Sequence, residues 1–159
     1  MKILFTGGGT GGHIFPIVVI AREIRRMYPK KNLEFYYVGS KDEFGLIMLG
    51  QEDFKIKTIV SGKIRRYFST SQDFSFSQIN ITTLYYNIID ILFKIPFGFF
   101  QSIFIISIIR PQLVFSKGGS GSISVTFGAR FLRMPVFLHE SDIVPGLSNR
   151  ITSKWAKKI

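Results

Sequence analysis

The run Gly7-Gly8-Gly9-Thr10-Gly11-Gly12 constrains this chain more than any other segment. It follows the apolar residues Ile3-Leu4-Phe5 and leads through His13 into a helical pattern. A strand that turns on glycines into a helix leaves backbone N–H groups unpaired at the helix N-terminus, where the dipole also favours negative charge. Glycines let a ligand approach the main chain and adopt backbone angles closed to other residues. The segment therefore reads as a receptor for phosphate or another anion. Its spacing also fits the dinucleotide fingerprint GxGxxG, but a dinucleotide site needs an acidic residue closing the second strand to hold a ribose. Here that strand ends in Gly39-Ser40-Lys41, and Asp42 and Glu43 arrive late, which disfavours a nicotinamide or flavin cofactor.

Strand signals recur at Lys2–Thr6, Leu33–Val38, Phe54–Ile59, Gln112–Ser116 and Pro135–Leu138, mostly as unbroken apolar runs. Such runs suit strands buried on both faces of a parallel sheet. Helical stretches lie between them. Ile17, Ile20, Ala21, Ile24 and Met27 share a helical spacing after Pro16, which suits a first turn, and Pro29 ends the run. A shorter helix is expected near Asp42–Leu49, a third over Leu84–Ile109 and a fourth after Ser122. The expectation is one doubly wound α/β domain, Rossmann-like, with helices on both faces and ligands at the carboxyl ends of its strands.

The chain has 159 residues, enough for a sizeable core, and no cysteine, so disulfides, thiolate nucleophiles and cysteine-bound metals are excluded. Met1-Lys2 leads straight into a strand, so no secretory signal is expected and the cytoplasm is the default compartment. Lys and Arg number 21 against 10 acidic residues, a formal charge of +11 that favours an anionic surface, either nucleic acid or the inner face of a membrane. The basic residues are dispersed rather than interleaved with stacking aromatics, so nucleic acid is the weaker reading. The cluster Lys63, Arg65, Arg66, Tyr67 and Phe68 suits a membrane surface better. The apolar stretch between Lys94 and Arg110 falls short of the ~20 residues of a membrane span. Residues 63–93 are expected to face a membrane, and Phe97 to Ile109 to belong to the core.

A second glycine turn, Gly118-Gly119-Ser120-Gly121-Ser122, follows the fourth strand, with Lys117 adding charge beside it. The fifth strand runs into His139-Glu140-Ser141-Asp142 and then Ile143-Val144-Pro145-Gly146-Leu147-Ser148-Asn149-Arg150. Ionisable groups at a strand's carboxyl end beside two glycine loops are where an α/β fold places its chemistry. His139 is equally readable as a hydrogen-bonded structural histidine, and Glu140 as a loop cap. Two histidines and scattered carboxylates do not make a metal site.

These three segments, in this order and spacing, resemble the MurG-type N-acetylglucosaminyltransferases of peptidoglycan synthesis, two-domain enzymes of the GT-B superfamily. The resemblance covers nearly all 159 residues and implies the family's N-terminal half, which carries the acceptor and membrane sides. It places the half that supplies most of the UDP-GlcNAc pocket outside these residues. It implies no cofactor. Thr10, Gly11 and Gly12 match the first glycine loop, where backbone approaches the diphosphate of donor or acceptor. His13 matches that loop's histidine, implied as general base for the acceptor's 4-hydroxyl, with Glu140 as the rival base or the group that orients it. Gly119, Ser120 and Ser122 match the second loop, where Ser120-Gly121 replaces the usual Tyr-Val. His139 and Glu140 open a His-Glu-Gln-Asn motif that here reads His-Glu-Ser-Asp. The family's asparagine becomes Asp142, an anion beside the expected diphosphate. Asn149 matches the asparagine of the following helix.

Two readings stay open. In one, the chain is the acceptor-binding half of an inverting transferase that moves GlcNAc from UDP-GlcNAc to undecaprenyl-pyrophosphoryl-MurNAc-pentapeptide at the cytoplasmic face of the membrane. In the other, it is a non-catalytic, membrane-docked subunit that recruits a separate donor-binding partner chain. The stretch from Thr152 to Ile159, with Trp155, is expected to offer an apolar edge to such a partner.

Overall fold

The computed structural model describes residues 1–8, 11–41, 43–62 and 81–159, and gives the backbone alone for Phe44 and residues 81–84. Five strands, β1 (Lys2–Thr6), β2 (Glu34–Gly39), β3 (Lys55–Thr58), β4 (Leu113–Ser116) and β5 (Val136–Leu138), form one sheet in the order β3-β2-β1-β4-β5. All neighbouring pairs are parallel, as the apolar runs require, and each strand end lies within one residue of its expected position. The helices are α1 (Gly11–Met27), α2 (Glu43–Gly50), α3 (Ile81–Ile89), α4 (Ile95–Ile109), α5 (Ser122–Phe131) and α6 (Leu147–Thr152).

Alternation along β1 builds two cores. Ile3 and Phe5 point to one face, where they meet Ile14, Ile17 and Val18 of α1 and Leu49 of α2. Leu4 points to the other, against Ile106 of α4 and Val125 and Ala129 of α5. Phe5 is the hub of the first core, with ring centroids 5.4 Å from Phe35, 5.4 Å from Phe54 and 5.5 Å from Phe115. Each such fully buried side chain stabilises the fold by roughly 1.5–3 kcal/mol. Because α1 and α5 leave the sheet toward opposite faces, the crevice between β1 and β4 is the switch point where doubly wound folds bind ligands.

Two helices differ from expectation. Helix α1 begins at Gly11, so Pro16 lies inside it and not in its first turn, and Met27 is exposed. Pro16 removes only one i→i−4 bond, and burial of Ile14, Ile17, Val18 and Ala21 outweighs that loss. The second difference is larger. Helices α3 and α4 are joined by a π turn at Asp90–Lys94, in which Ile95 N–H donates to Asp90 O. The turn lets the rod pass Pro96, whose ring would clash with the carbonyl four residues back in a regular helix. Lys94 does not interrupt it, because Lys94 Nζ lies 2.5 Å from Oδ1 of buried Asp90. The segment Tyr85–Ile109 is 25 residues, long and apolar enough by length and composition to cross a membrane, contrary to the shortfall expected from the sequence.

Nor is Phe97–Ile109 wholly core. Gly98, Ser102, Ile106 and Ile109 are buried, with Ser102 Oγ donating to Ser124 O of α5 at 2.8 Å. The opposite face presents Phe93, Phe97, Phe100, Phe104 and Ile108, each more than half exposed. The expected basic cluster Lys63, Arg65, Arg66, Tyr67 and Phe68 lies outside the described residues, as do Gly9 and Thr10.

Candidate active site

Adjacent parallel strands β1 and β4 pair Thr6 with Ser116, so their glycine loops leave the sheet side by side. The loops touch. Gly118 and Gly119 have φ of +89° and +87°, which side chains rarely adopt, and a Cβ on Gly119 would lie 2.6 Å from Gly8 Cα. The same Cβ would lie 3.0 Å from His13 Nε2, so the imidazole sits over the point of contact. The second loop is partly closed by serines of β4 and α6, which the sequence did not reveal. Gly118 N–H donates to Ser116 Oγ at 3.2 Å and Gly119 N–H to Ser148 Oγ at 2.8 Å. Among the described residues the N–H groups of Ser120 and Gly121 have no protein partner; Gly121 is buried, so Ser120 holds the loop's open donor. Ser122 is buried and its Oγ donates to Gly119 O at 2.8 Å, shaping the turn rather than facing the cleft.

The third segment is organised by Glu140. Its Oε1 accepts N–H of Ser141 at 2.9 Å and of Asp142 at 3.1 Å. Its Oε2 accepts Gly146 N–H at 3.3 Å and Asn149 Nδ2 at 3.0 Å. Burial opposes ionisation, but the hydrogen bonds from Asn149 and the three backbone amides prevail and hold the carboxyl below its ordinary value. Asn149 is buried, and its Nδ2 also reaches His139 O at 3.3 Å and Lys117 O at 3.5 Å. It ties the second and third loops together.

These loops enclose a cleft of about 190 Å³. Of the residues singled out from the sequence, His13, Gly119, Ser120, Glu140, Asp142 and Asn149 line it. Gly11 and Gly12 open α1 without lining it, and no heavy atom lies within 4 Å of a Cβ on Gly12. His139 sits behind the wall: its Nδ1 is buried without a partner among the described residues, and its ring lies 6.2 Å from Phe115. Lys117 and Ser148 also line the cleft and were not assigned to the site from the sequence; Lys117's place directly before Gly118 was the available signal. His13 is half-buried, and burial, followed by the nearby Lys117 charge, lowers its pKa from 6.5, only partly offset by Asp142 and Glu140. His139 is lowered for the same two leading reasons. A neutral His13 imidazole at neutral pH can accept a proton. Among the described residues no three His, Asp or Glu side chains converge as metal ligands would.

A five-stranded parallel sheet with two touching glycine loops at its switch point defines a Rossmann-like α/β domain. The fold is similar to the crystal structure of Acinetobacter baumannii MurG, with a TM-score of 0.72 at 20% identity over 98% of this chain and 40% of that one. The chain belongs to glycosyltransferase family 28, whose N-terminal domain matches residues 3–159. It is 37% identical over 159 residues to the UDP-N-acetylglucosamine–N-acetylmuramyl-(pentapeptide) pyrophosphoryl-undecaprenol N-acetylglucosamine transferase of Borrelia turicatae, and 40% identical over 158 residues to that of Streptococcus equi subsp. zooepidemicus. These matches cover 99% and 98% of the chain but 39% and 38% of the relatives, so the chain spans about two fifths of their length.

Proposed function

We propose that this chain is the acceptor-binding half of an inverting glycosyltransferase that moves GlcNAc from UDP-GlcNAc to undecaprenyl-pyrophosphoryl-MurNAc-pentapeptide, a further domain supplying most of the donor pocket. The observation that carries this reading is the contact of Gly119 with Gly8 beneath His13, which gathers an open amide and a proton acceptor in one cleft. His13 takes the proton of the attacking 4-hydroxyl as the bond to the anomeric carbon forms, and UDP departs with its pair of electrons. Glu140, its oxygens engaged by four donors, holds the third loop rather than serving as the base. Ser120, which lines the cleft, serves the diphosphate. The relatives are named as transferases, which favours this reading over a recruiting subunit. Calorimetric titration of the chain with a short-chain lipid-pyrophosphoryl-MurNAc-pentapeptide is expected to give saturable binding, and UDP-GlcNAc none. Binding of UDP-GlcNAc alone would overturn the assignment.

The lipid-linked acceptor places the enzyme at the inner membrane surface, and the aromatic stripe of α4 supplies the contact. Phe93, Phe97, Phe100, Phe104 and Ile108 recur at spacings of three and four along one face. Phe131 of α5, also exposed, extends it through Phe99, centroids 6.0 Å apart. So continuous an apolar face, on a chain of formal charge +11, suits an anionic bilayer, with Lys63, Arg65 and Arg66 at the headgroups beside Tyr67 and Phe68. Phe100→Ser with Phe104→Ser is expected to weaken sedimentation with phosphatidylglycerol vesicles by at least tenfold. The thermal midpoint should stay within about 2 °C, since both rings are already in water. Unchanged vesicle binding would remove α4 from the interface.

A further inference from the structure

Lys117 is an anomaly within the cleft. Only 5% of it is exposed, and among the described residues the single partner of its Nζ is the neutral Ser141 Oγ at 3.0 Å. Among the described residues no carboxylate lies within 4.0 Å of it. Glu140 lines the same cleft, but its lone pairs are spent on Asn149 and three backbone amides. Withdrawing an ammonium group from water is unfavourable unless an opposite charge replaces the lost hydration. A protein that leaves such a cation unpaired on a cleft wall leaves its counter-charge to a ligand. The open N–H group of Ser120, also on the cleft wall, follows it along the chain, so the donors suited to phosphate oxygens gather on one wall. Asp142 lines the cleft as well and repels anions, so backbone donors alone face an unfavourable field.

We infer that Lys117 is the phosphate-binding cation of this cleft: its Nζ leaves or shares Ser141 and pairs with a diphosphate oxygen, offsetting the charge of Asp142. The inference rests on the proposed transferase function for the identity of that diphosphate, but not for its existence. A charge-assisted contact of this kind discriminates di-anionic phosphates from neutral sugars, which makes Lys117 a specificity-determining residue.

The probe is inorganic pyrophosphate, titrated calorimetrically into the chain and its Lys117→Met and Lys117→Arg variants. Met keeps the length of the buried stem, and circular dichroism with thermal melting reports whether it folds. The wild type is expected to bind, Lys117→Met at least tenfold more weakly, and Lys117→Arg with at least half of the lost fold-change restored. Ser141→Ala is expected to change affinity by less than threefold. Equal affinity of folded Lys117→Met and wild type, or no binding by the wild type, would overturn the inference. If Lys117→Met does not fold, failure of Lys117→Arg to bind within tenfold of wild type would overturn it in its place. A parallel titration with the lipid-pyrophosphoryl-MurNAc-pentapeptide separates the two claims. If that acceptor binds no better than pyrophosphate while pyrophosphate binding depends on Lys117, the cation stands and the transferase reading falls.

Discussion

Gly119→Ala is expected to lower stability by about 2–4 kcal/mol and to abolish acceptor binding, whereas Gly12→Ala is expected to leave the fold intact. The contrast follows from what each added methyl meets. At Gly119 the backbone has φ of +87° and the new Cβ would lie 2.6 Å from Gly8 Cα and 2.8 Å from Gly8 N. Neither neighbour is a side chain that can rotate away. The two loops are anchored by the pairing of Thr6 with Ser116 and by Lys117 N–H donating to Thr6 O at 2.9 Å, so relief requires the loops to part. Parting them dissolves the cleft. At Gly12 nothing lies within 4 Å, and in a helix alanine is favoured over glycine by roughly 0.5–1 kcal/mol. Thermal melting with acceptor titration checks both; a Gly119→Ala protein that melts and binds like wild type would show that the loops do not need their contact.

His13→Ala, measured in a chain carrying both halves of the enzyme, is expected to reduce kcat by 100- to 10,000-fold, the usual contribution of a positioned base. KM for the acceptor should change far less, because the phosphate donors remain. The pH dependence supplies a second readout. Burial, then Lys117, lowers the His13 pKa from 6.5, so the neutral base persists below that pH. Activity is therefore full above pH 6.5 and is lost only as pH falls through the lowered value. In His13→Ala that acid limb should disappear. Glu140→Gln distinguishes the rival base: as a loop clasp it should cost stability through weakened acceptance from four donors, and leave the acid limb in place. Undiminished turnover in His13→Ala would remove the imidazole from the chemistry.

The parallel sheet was legible because its signals are local: apolar runs too short for helices, each closed by glycine or a charged turn. The proximity of the two glycine loops followed from topology, since the loops after β1 and β4 meet only if those strands are neighbours. Three features were out of reach. Whether Phe100 faces the core or water depends on Gly98 and Ser102 seating α4 against α5, and a run apolar on all sides carries no record of that. The π turn that carries the rod past Pro96 depends on Asp90 being buried near Lys94. Lys117 read as a charge beside a loop, and its contact with Ser141 depends on β5 pairing beside β4 and bringing its own loop across. Glu140 was readable as catalyst or cap, and only the folding of residues 141–149 around it shows four donors converging.

The central claim is that the loops after β1 and β4 form one cleft that grips a diphosphate. Amide chemical shifts of the chain during titration with lipid-pyrophosphoryl-MurNAc-pentapeptide test it most directly. The account predicts that Gly8 on one loop and Gly119, Ser120 and Gly121 on the other shift together and saturate at a single acceptor concentration. Shifts confined to one loop, or two loops saturating at different concentrations, would contradict it.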